Sequence, residues 1–63
     1  MGLTRLNKII ADAGIASRRA ADQLILDGHV SVDGQIIIEL GGKYDPEISD
    51  IKVNGESLKI NKS

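Results

Sequence analysis

At Gly28 the apolar pattern of the chain changes period. Before it, Leu6, Ile9, Ile10 and Ala13 fall at i, i+3, i+4 and i+7, and Ala20, Ala21, Leu24 and Ile25 make a second helical stripe. After it, Val30-Ser31-Val32 alternates, Asp33-Gly34 is a two-residue hairpin signal, and Ile36 to Ile38 continues beyond the turn. One kind of element cannot satisfy both spacings, so the chain is held to a helix pair followed by strands, an α+β fold. Thr4 is the expected N-cap of the first helix and Gly14 its left-handed exit; Ser17 caps the second, which stops at Gly28. A short turn through Gly14 to Ala16 then joins the two helices as a hairpin.

The phrase Ile51-Lys52-Val53-Asn54-Gly55-Glu56 echoes Val30-Ser31-Val32-Asp33-Gly34-Gln35, which reads as shared turn chemistry rather than as a duplicated unit. Residues 41–46 read as a loop, and residues 59–63 as a polar tail or the start of a linker. With 63 residues there is room for one domain. Such a domain buries only about 60% of the surface its unfolded chain exposes. The small apolar content is needed for its own core, so a monomer is expected.

There is no cysteine, hence no disulfide framework or thiolate metal site, and His29, the sole histidine, cannot build a zinc site alone. The longest apolar run, Ile36-Ile37-Ile38, is far short of a membrane span, and the N-terminus lacks the pattern of a signal peptide. A cytoplasmic location is expected. Catalysis finds little material. Asp45 with Glu47, and Asp50 with Glu56, lie in turn and hairpin contexts, and Gly41-Gly42-Lys43 lacks the remaining spacing of a phosphate-binding P-loop. No cofactor and no small-molecule substrate is expected.

The net charge of −1 conceals a polarised chain. Residues 1–19 carry Arg5, Lys8, Arg18 and Arg19 against Asp12, or +3, and the remainder carries Lys43, Lys52, Lys59 and Lys62 against eight acids, or −4. A basic segment set against an acidic remainder points to a polyanion-facing surface. Arg18 and Arg19 occupy the first turn of the second helix, where their charge opposes the helix dipole at a cost of about a few tenths of a kcal/mol. Unpaired amides and arginines at that turn are suited to phosphate. Tyr44 is the only aromatic residue, so base stacking cannot be the main strategy. What remains is recognition of phosphate geometry and shape in a folded polyanion. If Arg5, Lys8, Arg18 and Arg19 each neutralise one phosphate, the log–log salt slope is roughly −3 to −4.

The ordered set Arg-Leu-Asn-Lys, Ala-Gly-Ile-Ala-Ser-Arg-Arg-x-Ala-Asp-x-Leu-Ile and Gly-x-Val-x-Val-x-Gly resembles the RNA-binding domain named after small-subunit ribosomal protein four, the αL motif, over about residues 3–58. Glu39-Leu40-Gly41, Asp45-Pro46 and Asp50-Ile51-x-Val53-x-Gly55 look most like the version at the N-terminus of bacterial ribosomal RNA pseudouridine synthases. The resemblance implies two helices packed on a small, mostly antiparallel sheet, with structured RNA as ligand. Carried over by position, it implies RNA contacts at Arg5, Lys8, Ser17, Arg18 and Arg19, then at Val32, Gly34, Gln35 and Lys43. The family often has a basic residue where this chain has His29, and Asn where it has Asp33.

A pseudouridine synthase needs a separate, larger catalytic domain with an aspartate nucleophile, so this chain alone is not expected to be the enzyme. Three readings stand: the RNA-targeting domain of such a synthase, a free-standing ribosome-associated RNA-binding protein, or a protein-interaction module of the same fold. Leu26 and Ile38, where the family often has polar residues, are expected to be exposed, and one or both to touch another domain or protein.

Overall fold

In the computed structural model, which describes residues 2–58, the change of period at Gly28 is the boundary between helices and sheet. The polar tail expected at 59–63 lies outside the described residues. Helix α1 spans Leu6–Asp12 and buries Leu6, Ile9 and Ile10; helix α2 spans Arg18–Leu26 and buries Ala21 and Ile25. Between them the chain turns at Gly14, whose φ of 79° is left-handed, and the Ile15 amide donates back to the Ile10 carbonyl at 3.4 Å. Ser17 caps α2 as expected, its hydroxyl accepting from the Ala20 amide at 3.2 Å. Ala20 itself is exposed. It shares the flank of the helix with Leu24, but only the longer leucine reaches the core from there.

The start of α1 differs from expectation. Thr4 is not a cap: Arg5 holds the N-cap position with extended φ and ψ of −60° and 139°, and no side chain caps the helix. Thr4 and Arg5 instead form strand β1. Residues 41–46, expected as a loop, contain its partner, the strand Lys43–Tyr44, called β4 in chain order. They pair antiparallel, Thr4 opposite Tyr44 and Arg5 opposite Lys43. A Gly42 carbonyl then accepts from the Leu6 amide at 3.2 Å. The paired strand thus supplies an acceptor for the Leu6 amide, the first of the helix's unpaired donors, without a threonine cap.

The main sheet comprises β2 (Val30–Val32), β3 (Gln35–Ile36), β5 (Ile51–Val53) and β6 (Glu56–Ser57) in the order β3-β2-β5-β6, every pair antiparallel. The expected strand over Ile36 to Ile38 is shorter, because the chain leaves the edge after Ile37 donates to the Val30 carbonyl at 3.0 Å. Both hairpins turn through two residues with positive φ, Asp33 and Gly34 at 52° and 84°, Asn54 and Gly55 at 55° and 84°. That is the turn whose twist matches paired strands. The two phrases are related by a local pseudo-twofold: Val30 lies opposite Val53 and Val32 opposite Ile51. Asp33 donates its amide to the Asp50 carbonyl at 2.9 Å, as Asn54 does to that of His29 at 2.8 Å.

Alternation puts Val30, Val32, Ile51 and Val53 on the face that meets Leu6, Ile9, Ile10, Ala21 and Ile25, and among the described residues these nine form the core. Tyr44, Ile37 and Leu58 seal its margin. Leu26 and Ile38 are exposed, at 52% and 60%.

Candidate nucleic-acid interface

Pairing of β1 with β4 sets Arg5 directly across from Lys43. Like charges in that relation repel, and none of the described carboxylates bridges either side chain. The α1–α2 hairpin brings the first turn of α2 to the same place. Arg5, Lys8, Arg18 and Lys43 line one open cleft of about 420 Å³ together with Leu3, Thr4 and Asn7, and no acid is among the lining residues.

Lys8 has a partner, Asp12, one turn along α1 at 2.8 Å. Both side chains are exposed, and such an i,i+4 pair is worth only about 0.3–0.5 kcal/mol, so an incoming phosphate can compete for the lysine. Arg18 is the first residue of α2, whose first turn holds no acidic residue. Its own amide and that of Arg19 have no intrahelical acceptor, because no helical turn precedes them, while the Ser17 hydroxyl and carbonyl serve Ala20 and Ala21. The cleft therefore presents four cations with the positive end of a helix beside them. A multivalent, extended anion is the ligand that this arrangement can hold, through charge-assisted hydrogen bonds from fixed guanidinium forks.

The expected contacts do not all gather there. Ser17 and Arg19 line a separate shallow groove on the outer flank of α2, with Ala20, Gln23 and Leu24. Gly34 and Gln35 are exposed at the first hairpin, away from the cleft lining. Val32 is only 6% exposed and belongs to the core, because alternation along β2 turns it inward, and its backbone lies between Gln35 of β3 and Ile51 of β5. Asp33, the departure from the family's usual asparagine, has a structural role: its carboxylate accepts from the Asp50 amide at 2.9 Å and ties the first hairpin to β5. Three lining residues were not expected. Asn7 sits within the Arg-Leu-Asn-Lys run and could have been inferred from it, Thr4 was hidden by its capping chemistry, and Leu3 carries no signal.

Residues 4–41 match the family described as the S4 domain. Over 98% of its length the chain is 50% identical to an uncharacterized RNA pseudouridine synthase of Mycobacterium leprae. Over 92% it is 48% identical to the ribosomal large subunit pseudouridine synthase B of Bacillus subtilis. It covers 24% and 22% of those proteins, so it spans about a quarter of the length of the curated relatives it matches. Among solved structures, the crystal structure of a pseudouridylate synthase superposes with a TM-score of 0.80 at 25% identity, over 94% of this chain and 25% of that one. The helix hairpin, the paired β-hairpins behind it and the ordered sequence motifs agree on one RNA-binding module: the chain belongs to the S4 domain family.

Proposed function

We propose that this chain docks on a folded ribosomal RNA through the phosphate backbone, with Arg5, Lys8, Arg18 and Lys43 as its principal contacts. The observation that carries this reading is the like-charge pair Arg5 and Lys43, set beside Arg18 in a cleft whose lining holds no acid. A folded protein keeps such an arrangement at a cost in stability, and a bound phosphate ester removes the cost. Arg19, Ser17, Gly34 and Gln35 extend the contact outward from the cleft, and Val32 supports it from the core by holding the first hairpin in place. With Tyr44 the only aromatic side chain, and that one packed at the core margin, the module reads phosphate spacing and shape rather than bases.

In this reading the chain is the targeting part of a pseudouridine synthase, and the catalytic residues belong to the portion of the relatives that has no counterpart in these residues. The name of the Bacillus subtilis relative supports a large-subunit ribosomal RNA as the target. The test is a titration of labelled ribosomal RNA hairpins with the wild type and with Arg5→Ala/Arg18→Ala, read by anisotropy at low and physiological salt. Salt-sensitive binding that the folded variant loses supports the proposal. Absence of wild-type binding to a broad hairpin set at low salt, or equal binding by the variant, refutes it.

A further inference from the structure

Gly42 and Lys43 belong to a run that resembles no phosphate loop, and together with Tyr44 they lie just beyond the residues matched to the family, 4–41. Gly42 is not among the residues with left-handed φ, so its backbone conformation does not call for glycine. What a side chain there would meet is the outer end of the Tyr44 ring, which would have to swing away to admit it. A Cβ at Gly42 would lie 2.9 Å from both Cε2 and Oη of the tyrosine and 3.2 Å from Cζ, whereas one at Gly41 would meet nothing within 4 Å. The tyrosine ring is folded back over Gly42 while also packing, half-buried, against the core.

The contact lies between the two fastenings that hold this segment to the start of α1. On one side the Gly42 carbonyl accepts from the Leu6 amide at 3.2 Å, and on the other Thr4 pairs with Tyr44 and Arg5 with Lys43. Among the described residues, Lys43 is also the one cleft-lining residue that comes from outside the first eighteen. Its position across from Arg5 therefore depends on a strand only two residues long, too short to hold register by its own ladder against the repulsion of the two cations. We infer that Gly42 and Tyr44 are positioning residues of the RNA site: the tyrosine ring, seated on the bare backbone of Gly42, latches Lys43 into the cleft opposite Arg5. This rests on the RNA reading above. It gives the lone aromatic residue a role in building the site rather than in stacking on a base.

The test uses a labelled ribosomal RNA hairpin and records affinity, salt slope and thermal melting for each protein. Gly42→Ala is expected to lose about as much affinity as Lys43→Ala, with the salt slope shallower by roughly one, the signature of a lost phosphate contact. In the Lys43→Ala background, Gly42→Ala should change affinity by no more than about two-fold, because the contact it disturbs is already gone and the two losses do not add. In the Tyr44→Ala background it should likewise be neutral, because the obstruction is gone. Tyr44→Leu keeps an apolar side chain at the core margin but removes the ring, so it should lose the Lys43 contribution even if Gly42→Ala fails to fold. Unchanged affinity and slope in Gly42→Ala or Tyr44→Leu, or an equal loss whether or not Lys43 is present, would overturn the latch. Failure of the wild type to bind would instead remove the RNA reading beneath it.

Discussion

Arg18 and Arg19 are neighbours at the same helix terminus, yet only Arg18 lines the cleft, which makes the pair a test of how charge is divided between stability and binding. Both side chains are exposed and the first turn of α2 has no acid to offset them. A charge of the wrong sign in that turn costs roughly 0.3–1 kcal/mol at low ionic strength, with exposed side chains toward the lower end. Replacement by alanine adds about 0.2 kcal/mol of helix propensity. Each single variant, Arg18→Ala or Arg19→Ala, should then be more stable by roughly 0.5 kcal/mol. For a domain of this size that raises the melting temperature by about 2–4 °C at low salt, and by less as salt screens the dipole. RNA affinity should separate them. Arg18→Ala loses a cleft contact and its log–log salt slope becomes shallower by about one, while Arg19→Ala loses less. Thermal melts and anisotropy titrations on the same preparations give both quantities. A lower melting temperature for Arg18→Ala would mean that the arginine holds the fold together, and equal affinity losses for the two variants would refute the assignment of Arg18 alone to the cleft.

Ser17→Ala should lower stability by about 1 kcal/mol, or about 4–8 °C in melting temperature, because the Ala20 amide loses its acceptor. Asp33→Asn should melt close to the wild type, since asparagine keeps an acceptor for the Asp50 amide and tolerates the φ of 52°; Asp33→Ala should lose about 1–3 kcal/mol in denaturant titration. Ile25→Ala, at a fully buried position, should cost about 2–5 kcal/mol. Against a total of roughly 3–9 kcal/mol for a chain this short, that is enough to broaden or abolish the cooperative melt.

The helices and hairpins were legible because their signals are local. Leu6, Ile9 and Ile10 announce a buried stripe, Ser17 a cap, and Asp33-Gly34 with Asn54-Gly55 two turns that differ from their neighbours in backbone sign. What stayed hidden depends on contacts distant in sequence. Thr4 has the chemistry of a cap and becomes a strand residue because Tyr44 arrives to pair with it, and no pattern near residue 4 reports that. The same pairing decides the site. Family resemblance pointed to Lys43 but supplied no geometry, and its place across from Arg5 emerges only from the register of β1 and β4. Val32 shows the converse. Its alternation with Ser31 already marked it as inward-facing, and that local signal outweighs a contact carried over by position.

Chemical-shift mapping of the isotopically labelled chain on addition of a ribosomal RNA hairpin tests the central claim most directly. If the phosphate backbone docks in the cleft, the largest changes fall on the amides of Arg5, Lys8, Arg18 and Lys43, and they fade as salt is raised. Changes confined to the surroundings of Leu26 and of Ile38, or none at all at low salt, would contradict the claim.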